Sequence, residues 1–387
     1  MKYVIIGNGV AGTEAAISIR KNDPFGEITL ISNSRHRLYS RPRLIDYMAG
    51  RVSMKGLILY SDKFYQEQNI NCILNTHISE LLPEENSVLD NNGVRYYYDR
   101  LLLATGSQAF CPPINGIEDK KGVFTVRTVL DCDKILSYCR DLPNIVVVGG
   151  GVLGLEAADC FRVLGKNVSV IEVSPWLLAK QLDQEGGIQL LNMLQKRGIS
   201  FLVNEAVIKI EGKEKVEGIL LKSGKTIKAD ALIVSAGVRP NKILAEEANL
   251  KINRGVIVNE FLETSVEDIY AAGDLTEHQG KVCGLWSVAK DQGTLAGANM
   301  AGKRTKYHGI HPSTTLKVSG ISLFSAGDFN REDAEILSSQ NDNLYKKFLI
   351  KDNQLIGAIV LGDASAAKIA NKIYTGKEQL DKLEEIL

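Results

Sequence analysis

The stretch Gly7-Asn8-Gly9-Val10-Ala11-Gly12 follows the apolar run Tyr3-Val4-Ile5-Ile6, and Gly149-Gly150-Gly151-Val152-Leu153-Gly154 follows Ile145-Val146-Val147-Val148. An Ala- and Leu-rich run comes after each glycine cluster, so both have the strand, turn and helix context of a dinucleotide-binding fingerprint. In such a turn the first glycine permits the bend, the second admits a pyrophosphate, and the third brings helix and strand together. Unpaired N–H groups at the helix N-terminus then hold the phosphates. Two clusters predict two bound dinucleotides, with an empty glycine-rich turn as the alternative at either one.

The composition is that of an ordinary globular protein. Of the 387 residues 44% are hydrophobic, and 46 basic residues balance 46 acidic ones, so no global charge favours nucleic acid or an anionic membrane. No apolar run approaches the length of a membrane span, and the first strand begins directly after Met1, which leaves no room for a signal peptide. We therefore expect a cytoplasmic protein of two or three domains, without a nucleic-acid or membrane partner.

The six cysteines are scattered, with no CxxC or CxxxxC pair and no Cys/His cluster spaced for a metal. We expect most of them to be buried thiols or residues without a functional role, and we expect no metal site. A disulfide reductase is disfavoured because the sequence offers no closely spaced pair for a redox-active disulfide. His308 and His311 form only a loose HxxH, and His311-Pro312 is better interpreted as part of a loop.

Strand and helix patterns alternate through the first third of the chain and restart near Asn144, after a proline-bearing stretch at residues 111–116 that is typical of a domain crossing. The buried runs at residues 101–107 and 231–237 end in small residues, which leave space for a ligand at the carboxyl end of a parallel strand. From about residue 311 onward, shorter strands and a terminal helix predict a small α+β domain.

Two carboxylates follow strands where a sugar could bind. Glu172 lies 18 residues after Gly154, near the spacing expected of a carboxylate on a ribose 2'-hydroxyl. It would repel a 2'-phosphate, and no arginine follows in residues 173–176, so NADH is favoured over NADPH; a solvated glutamate at a strand end is the alternative. Asp274 follows a strand and Gly273 at the start of a predicted helix, where it would bond sugar hydroxyls or act as an N-cap.

The ordered motifs GNGVAG, ATGS, GGGVLGLE, SAGVRPN and IYAAGD resemble those of the FAD- and NAD(P)H-dependent pyridine nucleotide-disulfide oxidoreductase superfamily across essentially the whole chain. The segments that begin at Tyr39, Leu285, Ala296 and Leu316 look like the branch holding NADH:rubredoxin oxidoreductases and the flavin-binding part of assimilatory nitrite reductases.

This resemblance implies an α/β fold with two Rossmann-like dinucleotide-binding domains and a small C-terminal α+β domain. The FAD domain would be discontinuous, at residues 1–109 and 236–309. The NAD domain, residues 110–235, would be inserted into it, and residues 310–387 would form the C-terminal domain.

The resemblance also assigns residues to the cofactors. At FAD, the resemblance implies contacts with the pyrophosphate from Gly7, Asn8, Gly9, Val10, Ala11 and Gly12, and with the ribityl chain from Gly273 and Asp274. Along the flavin it implies Arg41 and Pro42, and it implies that the pocket is closed by Ala104, Thr105 and Gly106, with Arg127 reaching it from the linker. At the adenine it implies backbone near His77 and Ile78, and it adds Gly237 and Trp286 as further contacts. Those implied at NADH are Gly149, Gly151, Val152, Leu153, Gly154 and Glu172.

Two of these assignments have alternatives or departures. The acidic residue that the family usually carries at the end of the second strand is absent, and Ser32 and Asn33 would bond the adenosine ribose in its place. Trp286 would cover the pyrimidine edge of the flavin, with a place in the core between domains as the equal alternative.

Three residues are expected to act near the reacting rings. Glu156 resembles the family glutamate whose helix faces nicotinamide and flavin, and would orient the nicotinamide or a neighbouring cation; a glutamate that only complements the helix dipole is the alternative. Related ferredoxin reductases bring a lysine to the flavin from this segment; Asp46 does not replace that lysine, and Arg43 would stand in for it. Lys317 would approach the flavin from the C-terminal domain, with a solvated lysine as the alternative.

These assignments predict a flavoprotein that oxidises NADH on bound FAD and passes electrons to a separate acceptor, with a rubredoxin-like iron protein preferred. Thiol-based chemistry is not expected, because Arg41-Pro42-Arg43 stands where peroxide- and coenzyme A disulfide-reducing relatives carry a cysteine. The alternatives are a flavin-dependent redox sensor or interaction protein, an NADH oxidase, and the electron-donating component of a nitrite reductase, which would need another subunit. We expect a monomer, since the C-terminal domain is short and lacks the interface histidine of disulfide reductases.

Overall fold

The computed structural model describes residues 1–118, 120–309, 313–329 and 331–387, so the interpretation of His311 and Pro312 falls outside the described residues. The chain forms two compact units. The first consists of Met1–Leu44, Val52–Gln108 and Val238–Ile310, and the second of Ile45–Arg51, Ala109–Gly237 and His311–Leu387. Within the described residues, the structure contains no helix with the length and apolar character needed to cross a lipid bilayer.

The helices are α1 (Val10–Asn22), α2 (Leu44–Met48), α3 (Met54–Leu57), α4 (Asp62–Glu67), α5 (Val129–Cys139), α6 (Val152–Val163), α7 (Gln184–Gln195), α8 (Ile243–Glu247), α9 (Trp286–Met300) and α10 (Ala364–Tyr374). The strands are β1 (Lys2–Ile6), β2 (Glu27–Ile31), β3 (Ile70–Ile73), β4 (Ile78–Leu82), β5 (Ser87–Asp90), β6 (Arg95–Tyr97), β7 (Arg100–Leu103), β8 (Ser107–Ala109), β9 (Val123–Thr125), β10 (Asn144–Val148), β11 (Asn167–Ile171), β12 (Ser200–Leu202), β13 (Val207–Glu211), β14 (Gly218–Leu221), β15 (Thr226–Lys228), β16 (Ala231–Val234), β17 (Val238–Pro240), β18 (Val256–Val258), β19 (Ile269–Ala271), β20 (Thr276–His278), β21 (Lys281–Val282), β22 (Ser313–Val318), β23 (Ile321–Gly327), β24 (Glu335–Asn341), β25 (Leu344–Lys351) and β26 (Gln354–Leu361). Short 3-10 helices cover Arg41–Arg43, Pro83–Glu85 and Leu380–Leu383.

The first unit is built on a five-stranded parallel sheet in the order β19-β7-β1-β2-β3. On the central strand β1, Ile5 lies beside Leu30 of β2 and Leu102 of β7, and all three side chains are buried. Parallel strands that are buried on both faces read as continuous apolar runs, which is why the sequence marks them clearly. The turns that follow β1, β7 and β19 therefore lie along one edge of the sheet, where ligands of such folds bind.

The second unit repeats this architecture with a parallel sheet in the order β12-β11-β10-β16-β9. Between β12 and β16 in the sequence, the chain forms a separate antiparallel sheet in the order β13-β14-β15. The C-terminal part of this unit is an antiparallel sheet in the order β22-β23-β26-β25-β24. Helix α10 packs on this sheet through a buried apolar cluster that includes Phe324, Phe348 and Ala370. The predicted fold class, two doubly wound sheets and a C-terminal α+β part, is confirmed; the domain boundaries stay a prediction.

The helix predicted to begin at Asp274 is wrong. The Thr276 N–H donates a 3.0 Å hydrogen bond to the Gly273 carbonyl, which closes a turn, and β20 follows directly. Gly273 has a φ of 87°, a left-handed value that is incompatible with a right-handed helix at this point. Asp274 is therefore presented by a turn, and α9 begins only at Trp286.

Candidate dinucleotide sites

The first glycine turn joins β1 to α1. Gly7 has a φ of 109°, and a Cβ atom there would lie 2.2 Å from the Ala104 carbonyl oxygen. A Cβ atom at Gly12 would lie 1.9 Å from the Gly7 carbonyl oxygen, whereas one at Gly9 would meet no described atom within 4 Å. The packing of the protein thus requires the first and third glycines, and the second glycine faces open space.

The second glycine turn, between β10 and α6, has the same geometry. Gly149 has a φ of 112°, and a Cβ atom there would lie 2.3 Å from the Ser235 carbonyl oxygen. A Cβ atom at Gly154 would lie 2.0 Å from the Gly149 carbonyl oxygen, and one at Gly151 would again meet no described atom within 4 Å. Each unit therefore holds one open glycine turn.

The helices that follow these turns begin without a capping side chain among the described residues, unlike α5, α7 and α10. At Gly9 of α1 and Gly151 of α6 no described side chain caps the helix, and neither first turn contains an acidic residue. In contrast, the side chains of Thr128, Asp183 and Asp363 cap α5, α7 and α10. An uncapped N-terminus leaves N–H donors for an anion, so α1 and α6 fit the pyrophosphates of two dinucleotides.

Asn8 and Ser32 meet beside the first glycine turn, and both are buried. The Ser32 hydroxyl donates a 2.8 Å hydrogen bond to Asn8 Oδ1, and the Ser34 N–H donates to Ser32 Oγ at 3.1 Å. A hydroxyl has one donor and two acceptor sites, so Ser32 retains one acceptor site without a described partner. Ser32 could therefore accept one bond from a ribose hydroxyl, whereas Asn33 is exposed.

Asp274 lies half-buried at the same edge of the first sheet, held by two residues that the sequence analysis missed. The Ser107 hydroxyl donates a 2.7 Å hydrogen bond to the Asp274 carboxylate. Behind the turn, the buried Gln292 side chain accepts bonds from the Gly273 N–H at 2.8 Å and from the Thr276 hydroxyl at 2.9 Å. Ser107 could have been found from its place in the ATGS motif. Gln292 lies in α9 outside every motif, so the sequence did not indicate its role.

Thr105 and Gly106 are fixed by Asn241, a third residue that was not predicted from the sequence. The Thr105 hydroxyl donates to the Asn241 carbonyl at 2.9 Å, and the Asn241 side-chain amide donates to the Thr105 carbonyl at 2.9 Å. The Asn241 N–H also donates to the Gly106 carbonyl at 2.9 Å. These bonds hold the segment after β7 rigidly beside Gly7, against which Ala104 packs.

The residues predicted at the adenine are in different environments. Ile78 is buried at the start of β4, and His77 is exposed. The His77 carbonyl accepts a 2.9 Å hydrogen bond from the Asn91 N–H, and the His77 N–H donates weakly to Asn91 Oδ1 at 3.4 Å. Backbone bonding to an adenine at His77 would therefore compete with Asn91.

Four of the residues predicted at the flavin belong to the first unit. Arg41, which is half-buried, lies with the exposed Pro42 and Arg43 in the short helix after β2. Trp286 is the first residue of α9 and packs half-buried against the core of the first unit. No described side chain caps α9, so its N-terminus also presents N–H donors.

In the second unit, Glu172 is held against the second glycine turn. Its carboxylate accepts hydrogen bonds from the Gly150 N–H and, at 2.7 Å, from the Ser174 N–H. The side chain is half-buried directly after β11. Its charge therefore lies where the ribose of a dinucleotide on this turn would be expected.

Glu156 lies half-buried in α6, two residues past the last fingerprint glycine. It is within electrostatic reach of Asp46 and Arg51, which form an ion pair of 2.9 Å. Burial, reinforced by the negative charge of Asp46 and partly offset by Arg51, raises the pKa of Glu156 to about 7. This carboxyl can therefore gain or lose a proton near neutral pH, as acid–base groups of enzymes do.

Five further predicted residues belong to the second unit. Arg127 is half-buried before α5, and its N–H donates to Asp131 at 3.2 Å. Gly237 has a φ of 97°, and its carbonyl accepts a 2.9 Å bond from the Phe110 N–H. Lys317 is exposed on β22. Val152 and Leu153, the first residues of α6, are half-buried.

Three of the six cysteines are buried in environments that keep their thiols protonated. All six are free thiols, and Cys132, Cys139 and Cys160 are buried. Burial raises the pKa of Cys132 and Cys160 to about 12 and that of Cys139 to about 11, so these thiols stay protonated and unreactive at neutral pH. In the described part of the chain, no three His, Cys, Asp or Glu residues are grouped so that they could hold a metal ion.

Comparison with known proteins identifies the family to which residues 1–293 are similar. Residues 1–293 match the family described as pyridine nucleotide-disulphide oxidoreductase, and residues 312–376 match the rubredoxin NAD+ reductase C-terminal domain. The resemblance inferred from the motifs is thereby confirmed.

Individual relatives agree with this result. A nitrite reductase [NAD(P)H] of Bacillus subtilis is 38% identical over 94% of this chain, which spans 46% of that relative, about half its length. An NADH-rubredoxin oxidoreductase of Clostridium acetobutylicum is 30% identical over 100% of this chain and 97% of its own length. The crystal structure of NADH:rubredoxin oxidoreductase from Clostridium acetobutylicum superposes with a TM-score of 0.83 at 30% identity, covering 100% of this chain and 99% of that one. The chain therefore belongs to the pyridine nucleotide-disulphide oxidoreductase family, whose members are oxidoreductases that use FAD and NAD(H).

Proposed function

We propose that this chain oxidises NADH on an FAD bound at the first glycine turn and passes the electrons to a separate iron protein of the rubredoxin kind. The observation that carries the proposal is the pair of open glycine turns of the same geometry. All six cysteines are free thiols, which argues against a disulfide relay. Support for the acceptor comes from the C-terminal match at residues 312–376 and from the relative named NADH-rubredoxin oxidoreductase.

Bound FAD supplies an acceptor for the nicotinamide hydride that can release electrons singly. Because a hydride carries two electrons and one proton, one NADH reduces two one-electron acceptors and releases one proton. The residues of the chain have to bind, orient and shield the two cofactors. In this proposal Asp274, supported by Ser107, binds the ribityl chain, and Arg41 lies along the flavin.

Glu156, Arg43 and Lys317 are the residues that we place near the reacting rings. Glu156 would orient the nicotinamide or a neighbouring cation, and its pKa of about 7 lets its carboxyl hold a proton over part of the neutral range. Arg43 and Lys317 would supply positive charge. These roles follow the resemblance of their motifs to the family.

NADH is the proposed donor because of Glu172. Its carboxylate lies at the second glycine turn, where it would accept bonds from the ribose hydroxyls and repel a 2'-phosphate. The relative from Bacillus subtilis is named for NAD(P)H, so the preference of this chain needs its own measurement.

A second candidate function is the electron-donating part of a nitrite-reducing system. The 38% identity to the Bacillus subtilis nitrite reductase over 94% of this chain favours it. In that case the same NADH and FAD chemistry would serve a different acceptor, and a separate protein would have to carry the nitrite-reducing centre.

The test is an anaerobic acceptor screen on purified, FAD-loaded protein. We expect NADH to bleach the flavin and oxidised rubredoxin to restore its colour over many cycles. A protein that cannot be reconstituted with FAD would contradict the whole proposal. Recovery with oxygen alone would indicate an NADH oxidase, recovery only with a nitrite-reducing partner would favour the second candidate, and a reduced state that no acceptor reoxidises would indicate a redox sensor. Light scattering on the same sample tests the proposed monomer.

A further inference from the structure

Strand β25 carries two adjacent lysines that bind the N-cap aspartates of two different helices. Lys347 Nζ lies 2.8 Å from Asp183, which caps α7, and Lys346 Nζ lies 3.1 Å from Asp363, which caps α10. Successive residues of a strand point to opposite faces of its sheet. One face of the C-terminal sheet is therefore attached to α10, and the other is attached to α7, which precedes the sheet in the second unit.

The attachment to α7 is a buried polar network. Asp183 is 7% exposed and accepts a 2.7 Å hydrogen bond from the Tyr345 hydroxyl, in addition to its bonds with Lys347 and the Gly186 N–H. Tyr345 is 1% exposed, and burial together with the Asp183 carboxylate raises its pKa. Removal of one partner from such a network leaves a buried charge without compensation, so the network should fix its surroundings firmly.

The chain between Glu172 and this network, residues 173–182, forms a wall of the second glycine turn. The Leu178 N–H donates a 3.2 Å hydrogen bond to the Gly150 carbonyl. The Leu177 side chain packs so closely over Gly150 that a Cβ atom there would lie 2.8 Å from it. We name residues 173–182 the nucleotide loop, because it packs against the turn on which Glu172 lies.

The far end of the nucleotide loop is attached to the C-terminal sheet. The buried Ser325 hydroxyl on β23 donates a hydrogen bond to the Gln181 carbonyl, and Asp183 follows two residues later. Within the loop, the Trp176 indole N–H donates to the Leu182 carbonyl at 3.2 Å. A continuous series of contacts therefore runs from the second glycine turn through the loop to strands β23 and β25.

We propose that the C-terminal sheet positions the nucleotide loop, so that Lys347, Tyr345 and Ser325 set the affinity of the protein for the adenosine half of NADH. The inference rests on the proposed function, in which the second glycine turn binds NADH. It gives the C-terminal part of the chain a role in nucleotide binding that is separate from any contact with an electron acceptor. All three are positioning residues that act through the loop.

The test compares Lys347→Met with its neighbour Lys346→Met in FAD-loaded protein. The Lys346 variant also removes a lysine bound to an N-cap aspartate on the same strand, but on the face attached to α10 and with a more exposed aspartate. We measure the Kd for NADH and for ADP-ribose, and the rate of flavin reduction at saturating NADH. In Lys347→Met both Kd values should rise about fivefold, equivalent to about 1 kcal/mol, with the limiting rate unchanged. Lys346→Met should leave both Kd values unchanged, and Lys347→Arg should restore most of the affinity.

Several outcomes would overturn the inference. Unchanged Kd values in folded Lys347→Met would do so, and so would an equal rise in Lys346→Met, which would indicate general destabilisation. If Lys347→Met does not fold, Tyr345→Phe, which removes only one hydroxyl, decides in the same way. Failure of the wild-type protein to bind NADH or ADP-ribose would instead contradict the proposed function, so the two failures are distinguishable.

Discussion

The Ser107 hydroxyl donates a 2.7 Å hydrogen bond to the carboxylate of Asp274, 167 positions further along the chain. The two residues follow β7 and β19, which are neighbours in the first sheet. Since parallel strands end at the same edge, the ATGS and IYAAGD motifs meet there. The bond fixes the direction of the carboxylate that we propose as the ribityl ligand of FAD.

Replacement of Ser107 by alanine should therefore weaken FAD binding without unfolding the protein. A hydrogen bond to a charged group contributes about 1.5 kcal/mol, so the Kd for FAD should rise roughly tenfold, measured by titration of the apoprotein. Ser18→Ala is the matched control, because it removes a 2.7 Å hydroxyl bond to the Thr294 carbonyl in the same unit. Equal FAD affinity in the two variants would remove Ser107 from the site.

A single methyl group added to one glycine turn should disturb the binding of one cofactor and leave the other cofactor bound. Gly9→Ala and Gly151→Ala each place a Cβ atom in open space on backbone that alanine tolerates, so neither should destabilise the fold. We expect Gly9→Ala to yield colourless protein. Gly151→Ala should remain yellow but be reduced by NADH with a KM raised at least about tenfold, since the methyl group would meet the pyrophosphate.

The third fingerprint glycines provide the contrast for these variants. A Cβ atom at Gly12 or Gly154 would clash with a backbone carbonyl, so Gly12→Ala and Gly154→Ala should lower the melting temperature as well as cofactor binding. A yellow Gly9→Ala protein with normal FAD affinity would contradict the assignment of the first turn.

Replacement of Glu172 by arginine should shift the preference of the protein from NADH towards NADPH. The variant loses the carboxylate at the ribose position and gains a charge that attracts a 2'-phosphate. The ratio of kcat/KM for NADH to that for NADPH should fall by at least about tenfold. Glu172→Gln keeps an acceptor for the Gly150 and Ser174 N–H groups, so it separates the effect of charge from that of turn geometry. An unchanged ratio in the arginine variant would show that Glu172 lies elsewhere than at the ribose.

Much of the fold could be predicted from the sequence because its central strands are short apolar runs followed by glycine turns. The runs predicted as strands became β1, β10, β7, β16 and β19 with boundaries within a few residues. The error at Asp274 arose because a glycine before a carboxylate is compatible with both a helix start and a turn. The turn is stabilised by Gln292 of the distant helix α9, whose side chain accepts a hydrogen bond from the Gly273 N–H.

The environment of Glu156 could not be predicted from its motif. Its position in α6 followed from the fingerprint, but its pKa depends on Asp46 and Arg51, from a segment more than one hundred positions earlier. The contact between Lys347 and Asp183 could not be predicted either, because the two residues are 164 positions apart in the sequence. Such pairs depend on tertiary packing, which local spacing does not encode.

The raised pKa of Glu156 predicts a particular dependence of stability on pH. Because its pKa in the folded protein, about 7, lies above the ordinary value of 4.5, the fold favours the protonated carboxyl, and stability is lost as the pH rises through this interval. Glu156→Gln should remove that loss, so its free energy of unfolding should exceed that of the wild type by roughly 2 kcal/mol above about pH 8 and match it near about pH 4, allowing for solvent screening of a half-buried group. Denaturant unfolding across this range measures the difference. Asp46→Asn should move the midpoint of the difference to lower pH and Arg51→Gln to higher pH, because they remove neighbouring charges of opposite sign; shifts in the same direction would show that the ion pair does not control this carboxyl.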